Sequence, residues 1–194
     1  MGRMSALDRK SVLLDAAAAV IARDGVAAAS TRAITAEAGM SLASFHYVFP
    51  SRDALLAEVI ERTLDREFRE QSLVAESGLS VEERVYRGFC ASLGLLAERP
   101  EVELSMFELM HYALRTPGLE SLARRQYERY WEAAERIVVE TGVRWDRPTY
   151  EIAQVVVAMN DGIALAWLAT RDTEAALRMA AVATASICGM AVPA

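Results

Sequence analysis

Few side chains in this 194-residue chain have the types and spacing that chemistry requires. There are two histidines, His46 and His111, and two cysteines, Cys90 and Cys188. The cysteines stand in apolar helical surroundings, without the spacing of a metal site or a disulfide framework, and read as buried reduced thiols. No glycine-rich phosphate loop, GxSxG or HExxH occurs, and paired carboxylates such as Glu82-Glu83 fall on solvated helix faces. No catalytic centre, metal or cofactor is therefore expected. The polar groups that do cluster are Ser41, Ser44, His46 and Tyr47, within ITAEAGMSLASFHYVF at residues 34–49. Hydroxyls and an imidazole on one short segment suit hydrogen bonding to the phosphates and base edges of a nucleic acid.

That segment holds two short helical patterns around Gly39. Isolated helices below roughly 12–15 residues are marginal in water, so tertiary packing must hold these two. Phe45 and Phe49 are four apart and share one face, which is expected to pack on Ile34, Ala38 and the first helix. Ser44, His46 and Tyr47 then have the outward side, and small residues at Leu42-Ala43-Ser44 let the helix approach base edges closely. Free N–H groups in that first turn also suit phosphate. Upstream, SVLLDAAAAVIARDG sets Val12, Leu13, Ala16, Ala17, Val20 and Ile21 in one helical stripe, closed by Gly25. Ser30 or Thr31 can cap the second helix, Ser41 the third and Ser51, after Pro50, the fourth. A helix, a glycine turn and a second helix of this size make a helix-turn-helix, whose second helix enters the DNA major groove.

The remainder is also helical. A long amphipathic helix is predicted at about 52–77 (Leu55, Leu56, Val59, Ile60, Thr63, Leu64, Phe68), broken by SGLS at 77–80. Further helices are predicted at about 81–98, 101–115, 118–141, 148–170 and 173–190, with TGVRWDRPT a loop anchored by Trp145. With 53% apolar residues, ten glycines and five prolines, a folded helical protein is expected. The fold class is all-α with about nine helices: a three-helix DNA-binding module at 1–52 and an antiparallel helical bundle at 53–194. Residues 152–170 are long enough to span a bilayer, but Gln154, Asn160 and Asp161 argue for a buried soluble helix. The N-terminus, MGRMSALDRK, lacks the apolar core of a signal peptide, so a cytoplasmic protein is expected. The net charge of −6 is unevenly spread. Residues 1–56 hold six cations against five anions, net +1, which leaves −7 for 57–194.

TRAITAEAGMSLASFHYVFPSRDALL, with a helix before it, resembles the DNA-binding domain of the TetR family of transcriptional repressors over about residues 10–60. Thr31, Ile34, Ala38, Gly39, Tyr47, Phe49, Pro50, Ser51, Leu55 and Leu56 match that pattern in order and spacing. Thr35 stands where the family usually has alanine, Arg52 where lysine is common and His46 where tyrosine is common. The resemblance implies that Thr31, Tyr47 and Arg52 bind phosphates, with Arg32 and the cap Ser41 beside them. Leu42, Ala43, Ser44 and His46 would face base edges, and Arg3, Arg9 or Lys10 would add backbone or minor-groove contacts.

It also implies a homodimer, joined through the last two helices, on an inverted-repeat operator in double-stranded DNA. AALRMAAVATASICGMAV supports this independently, being apolar on nearly every side. Family members commonly bind a small molecule in the C-terminal bundle, which loosens DNA binding. Large and polar residues on otherwise apolar helices are the candidates to line that site: Phe89, Cys90, Met106, Phe107, Met110, His111, Tyr127, Trp131 and Asn160. Their types point to an apolar or aromatic effector of modest size. Plain core packing is the alternative for these residues, and Asn160-Asp161 could instead meet across a dimer. A ligand-relieved repressor is the expected function; an activator or a ligand-independent DNA-binding protein is the alternative.

Overall fold

The computed structural model describes residues 4–71 and 79–192, with the backbone alone for 63–71. The helices are α1 (Ala6–Asp24), α2 (Thr31–Glu37), α3 (Leu42–Val48), α4 (Arg52–Gln71), α5 (Val81–Glu98), α6 (Pro100–Arg115), α7 (Glu120–Glu140), α8 (Thr149–Thr170) and α9 (Thr173–Cys188). A 3₁₀ turn, Val26–Ala28, joins α1 to α2. Among the described residues there is no strand, only an isolated antiparallel bridge between Trp145 and Ala191. The expected C-terminal turn of the fourth helix, 72–77, lies outside the described residues.

Two compact units form: Met1–Glu67 with Glu101–Gln126, and Phe68–Pro100 with Tyr127–Ala194. The packing boundary therefore differs from the division expected at residue 52, because α6 and the start of α7 pack with the first four helices.

In the first unit α1 buries Leu13, Leu14, Ala16, Ala17, Val20 and Ile21. The buried stripe is the expected one except that it takes Leu14 and leaves Val12 half-buried. Ser30 caps α2 by accepting from Ala33 N at 3.1 Å, and Ser51 Oγ accepts from Ala54 N at 3.1 Å at the start of α4. The turn after α2 is a Schellman closure: Met40 N donates to Thr35 O at 2.9 Å and Gly39 N to Ala36 O at 3.1 Å. Gly39 sits at φ 62°, which glycine adopts without steric penalty. The Thr35 hydroxyl is buried and finds its partner locally, donating to Thr31 O at 2.9 Å.

In the second unit α9 packs on both α8 and α5. The residues α9 buries are Ala176, Ala180, Ala183, Thr184 and Ile187, mostly small enough for close helix approach. The 145 loop is pinned to the end of the chain: Asp146 N donates to Met190 O at 2.9 Å, and Val192 N to Arg144 O at 2.8 Å. A capping box opens α5, with Ser80 Oγ accepting from Glu83 N at 3.2 Å and Ser80 N donating to Glu83 Oε2 at 2.8 Å. Ser80→Ala is expected to cost about 1 kcal/mol, a fall of about 2–4 °C in thermal melting, with DNA binding unchanged.

The structure changes the expected picture of α8. The helix is long and apolar enough to cross a membrane, but only a third of its apolar window is buried within the chain. Leu165 on α8 is 50% exposed, and Met179 and Val182 on α9 are 40% and 69% exposed.

Candidate nucleic-acid interface

Packing of α3 is set by two aromatic rings. Phe45 and Phe49 are 0% and 1% exposed, with ring centroids 5.8 Å apart, and Ile34 of α2 is buried with them. Phe49 lies just past the helix, in extended conformation, and caps it through a 2.8 Å bond from its N–H to Phe45 O. With Phe45 inward, positions 42, 43, 46 and 47 fall at i, i+1, i+4 and i+5 and share the opposite face. All four are exposed: Leu42, Ala43, His46 and Tyr47, the last at 71%.

The two serines of this segment do a different job. Ser41 Oγ accepts from Ser44 N at 3.2 Å and lies 3.1 Å from Ser44 Oγ. Ser41 thus caps α3 through the Ser44 N–H, and Ser44 is half-buried. A short helix of one or two turns depends on such a cap, because its first N–H groups have no partner within it.

The exposed face of α3 continues onto the start of α1. Met4, Ser5, Ala6 and Arg9 line an open groove of about 600 Å³ with Ala43, Ser44 and Tyr47. The Arg9 guanidinium stands 5.4 Å from the Tyr47 ring centroid, which places a cation beside the phenol. Lys10 is instead paired with Glu58 at 2.7 Å, and Arg3 lies outside the described residues. Sequence reasoning did not single out Met4, Ser5 and Ala6. Ser5 carried a signal, since Ser5-x-x-Asp8 is a helix start, and Ser5 Oγ accepts from Asp8 N at 3.1 Å.

On α2, Thr31 is the half-buried first residue and Arg32 is exposed. Among the described residues no hydrogen bond or ion pair uses the Arg32 side chain. Arg23, at the end of α1, is tied to Asp24 at 2.9 Å and Glu37 at 3.1 Å. Those bonds raise its pKa, and they bind the end of α1 to the end of α2.

Arg52 departs from its expected use. Its guanidinium turns inward: Nε donates to Ala29 O at 2.7 Å, Nη1 to Tyr112 OH at 2.8 Å, and Nη2 to Val26 O. Tyr112 OH passes the chain on to Asp53 Oδ1 at 2.9 Å, while Glu108 Oε2 accepts from Val26 N at 2.8 Å. Three donors of a phosphate-binding candidate are thus engaged in joining the 3₁₀ turn, α4 and α6. Carbonyls at a helix end draw such a cation: Ala29 O lies just past the 3₁₀ turn, and Val26 O, which already accepts from Ala29 N at 3.2 Å, has a second lone pair to offer.

The residues expected to line a ligand site are divided between the units. Met106 and Phe107 are buried, Met110 is half-buried and His111 is exposed, all on α6 in the first unit. Exposure removes His111 from any enclosed lining within that unit. In the second unit Phe89 is buried, and Cys90, Tyr127, Trp131 and Asn160 are half-buried. Tyr127 and Trp131 on α7 are neighbours, with ring centroids 5.8 Å apart, and Trp131 meets Tyr150 of α8 at 6.1 Å. Tyr127 OH donates to Asp161 Oδ2 at 2.7 Å. Neither Tyr150 nor Asp161 was a candidate from sequence, although Asp161 stands next to Asn160.

Comparison with known proteins agrees with this architecture. The family of bacterial regulatory proteins named tetR matches residues 13–59, and the tetracyclin repressor-like C-terminal domain matches residues 80–190. The nicotine-responsive helix-turn-helix transcriptional repressor HdnoR of Paenarthrobacter nicotinovorans is 29% identical over 169 residues, 86% of this chain and 87% of that protein. A solved transcriptional regulator from Rhodococcus sp. Rha1 shares the fold with a TM-score of 0.79, at 21% identity, over 95% of this chain and 99% of its own. The multidrug binding protein EbrR, solved with imidazole, has a TM-score of 0.70 at 25% identity, over 96% of this chain and 97% of its own. With a DNA-reading helix-turn-helix at one end and the C-terminal match spanning more than half of its residues, the chain belongs to the TetR family of bacterial DNA-binding transcriptional regulators.

Proposed function

We propose that this regulator is a repressor that binds an inverted-repeat operator as a homodimer and is released by a small apolar or aromatic molecule. The observation that carries the reading is the exposed face of Leu42, Ala43, His46 and Tyr47, held outward by two fully buried phenylalanines. Leu42 or Ala43 suits thymine methyl groups, and His46 suits hydrogen-bonding base edges. Tyr47, Thr31, Arg32 and Arg9 contact phosphate around them. Arg52 holds the module's shape and does not itself grip the backbone.

Residues 1–52 supply the DNA contacts, and 53–194 supply the effector site and the dimer. Dimerisation through α8 and α9 accounts for Leu165, Met179 and Val182 standing exposed on apolar helices. A two-fold dimer presents its two reading helices to half-sites about 34 Å apart, and a ligand acts by favouring another spacing. The nicotine-responsive repressor and the imidazole-bound EbrR support control by a small ligand and, in the first case, repression. The protein acts in the cytoplasm, on double-stranded DNA.

Footprinting on the DNA flanking the chain's own gene, at two salt concentrations, tests this. Protection of an inverted repeat is expected, weakened by salt and reduced at least about tenfold in Tyr47→Ala. Protection of a single half-site would contradict the dimer. Protection unaffected by Tyr47→Ala would contradict the assigned face.

A further inference from the structure

Asp161 is an anomaly within the second unit. It sits in the apolar helix α8, half-buried, and its hydrogen-bond partner is a neutral hydroxyl, Tyr127 OH at 2.7 Å. No lysine, arginine or histidine pairs with it among the described residues. Burial pushes its carboxyl above the usual range, and the Tyr127 bond only partly offsets that. Removing a carboxylate from water without a counter-charge costs stability, so this position is poorly explained as a structural element.

What surrounds it is aromatic. On α7, Tyr127 and Trp131 are one turn apart and share a face. On α8, Tyr150, Gln154, Val157 and Asp161 fall at i, i+4, i+7 and i+11, also one face. The Tyr127–Asp161 hydrogen bond and the Trp131–Tyr150 ring contact show that these two faces meet. Along α8 the two meeting points are about 16 Å apart, at about 1.5 Å per residue, with Gln154 and Val157 between them. The rings are inclined rather than stacked, Tyr127 to Trp131 at 57° and Trp131 to Tyr150 at 83°. Inclined rings offer both edges and π-faces, which suit a flat apolar body and a nearby cation.

We propose that this α7–α8 face binds a small organic amine, with its ammonium group at Asp161 and its apolar or aromatic body along Tyr127, Trp131 and Tyr150. The inference rests on the reading that a small effector binds within residues 53–194, and adds that it binds in the second unit and is a cation. Asp161 supplies the counter-charge and Tyr127 OH orients its carboxylate. Gln154 gives a polar contact part-way along the body.

The test uses phenethylamine, protonated at neutral pH, and 2-phenylethanol, which has the same shape without the charge. Both are titrated into full-length protein by calorimetry. Phenethylammonium is expected to bind at least about tenfold more tightly than the alcohol. Asp161→Asn, which preserves shape, is expected to abolish that preference. It should melt no lower than wild type at pH 7, since it removes a poorly solvated charge. Trp131→Ala, which removes the ring next to Tyr127, is expected to weaken both probes alike, which separates the apolar body from the charged head. Equal affinity for the two probes in wild type would overturn the cation claim and leave the effector site standing. Binding of neither at millimolar concentration would overturn both. Loss of the dimer in Asp161→Asn, with the preference intact, would place the carboxylate in a subunit contact and overturn the proposal.

Discussion

Phe45→Ala should lower stability by about 3–5 kcal/mol and abolish operator binding, the largest single effect expected of any substitution in the first unit. The ring is fully buried beside the Phe49 ring on a helix that packs against α1 and α2, and truncation leaves a cavity that seven-residue α3 cannot close by itself. A helix this short has little stability of its own, so losing its anchor releases the whole reading face. Circular dichroism melting with operator titration checks this. The expected pattern is a lower melting temperature, with affinity falling further than the unfolded fraction explains. A variant that melts normally and still binds would show that Phe49 alone holds α3. Phe45→Leu, which keeps most of the volume, should recover most of the affinity.

The second large effect is expected at Arg52. Removing the guanidinium takes this donor from the Ala29 carbonyl and the Tyr112 hydroxyl and leaves Val26 O with the Ala29 N–H alone, at 3.2 Å. Hydrogen bonds to charged groups are worth about 1.5–3 kcal/mol each and overlap when they share one donor group, so Arg52→Ala should cost about 2–4 kcal/mol. Arg52→Lys should recover little, because one ammonium group cannot reproduce a fork spanning three acceptors. The readout that separates this from phosphate binding is the salt dependence of operator affinity. At temperatures where the variant is folded, the slope of log affinity against log salt should be unchanged. A slope flatter by about one unit would return Arg52 to the DNA contact set.

Arg52 also shows where the sequence stopped being informative. The packed face of α3, the stripe on α1 and the caps at Ser30, Ser41 and Ser51 were all legible, because each depends on residues within one or two turns. The outward side was legible at Leu42, Ala43, His46 and Tyr47 once Phe45 was assigned inward, but Ser44, expected beside them, is half-buried. The inward turn of Arg52 depends on carbonyls more than twenty residues upstream and on a tyrosine sixty residues downstream. No local pattern marks those partners. The 3₁₀ turn at Val26–Ala28 was equally silent, since VAAAS reads as a plain connection.

The ligand candidates were less legible for a related reason. Large residues on apolar helices mark a core and a ligand site alike, and only the fold distributes them. It placed Trp131 between Tyr127 and Tyr150, and Met106 and Phe107 in the other unit. From sequence, Asp161 argues against a membrane span and forms half of Asn160-Asp161, with no ligand role. Its hydrogen-bond partner comes from α7, thirty-four residues away.

The bonds from α6 bear on how regulators of this kind can be recombined. Glu108 closes the Val26 N–H, Tyr112 links Arg52 to Asp53, and an added Cβ at Gly25, where φ is 82°, would sit 3.0 Å from Glu108 Oε2. Position 25 is thereby matched to residue 108 in shape, and residues 26 and 52 are matched to 108 and 112 in hydrogen bonding. A chimaera that takes residues 1–52 from another regulator keeps this α6 facing an unfamiliar turn, with a carboxylate and a phenol that have lost their mates. Grafts that carry 101–126 along with the head transplant the lock together with its key, and the exchangeable module of this protein is discontinuous in sequence.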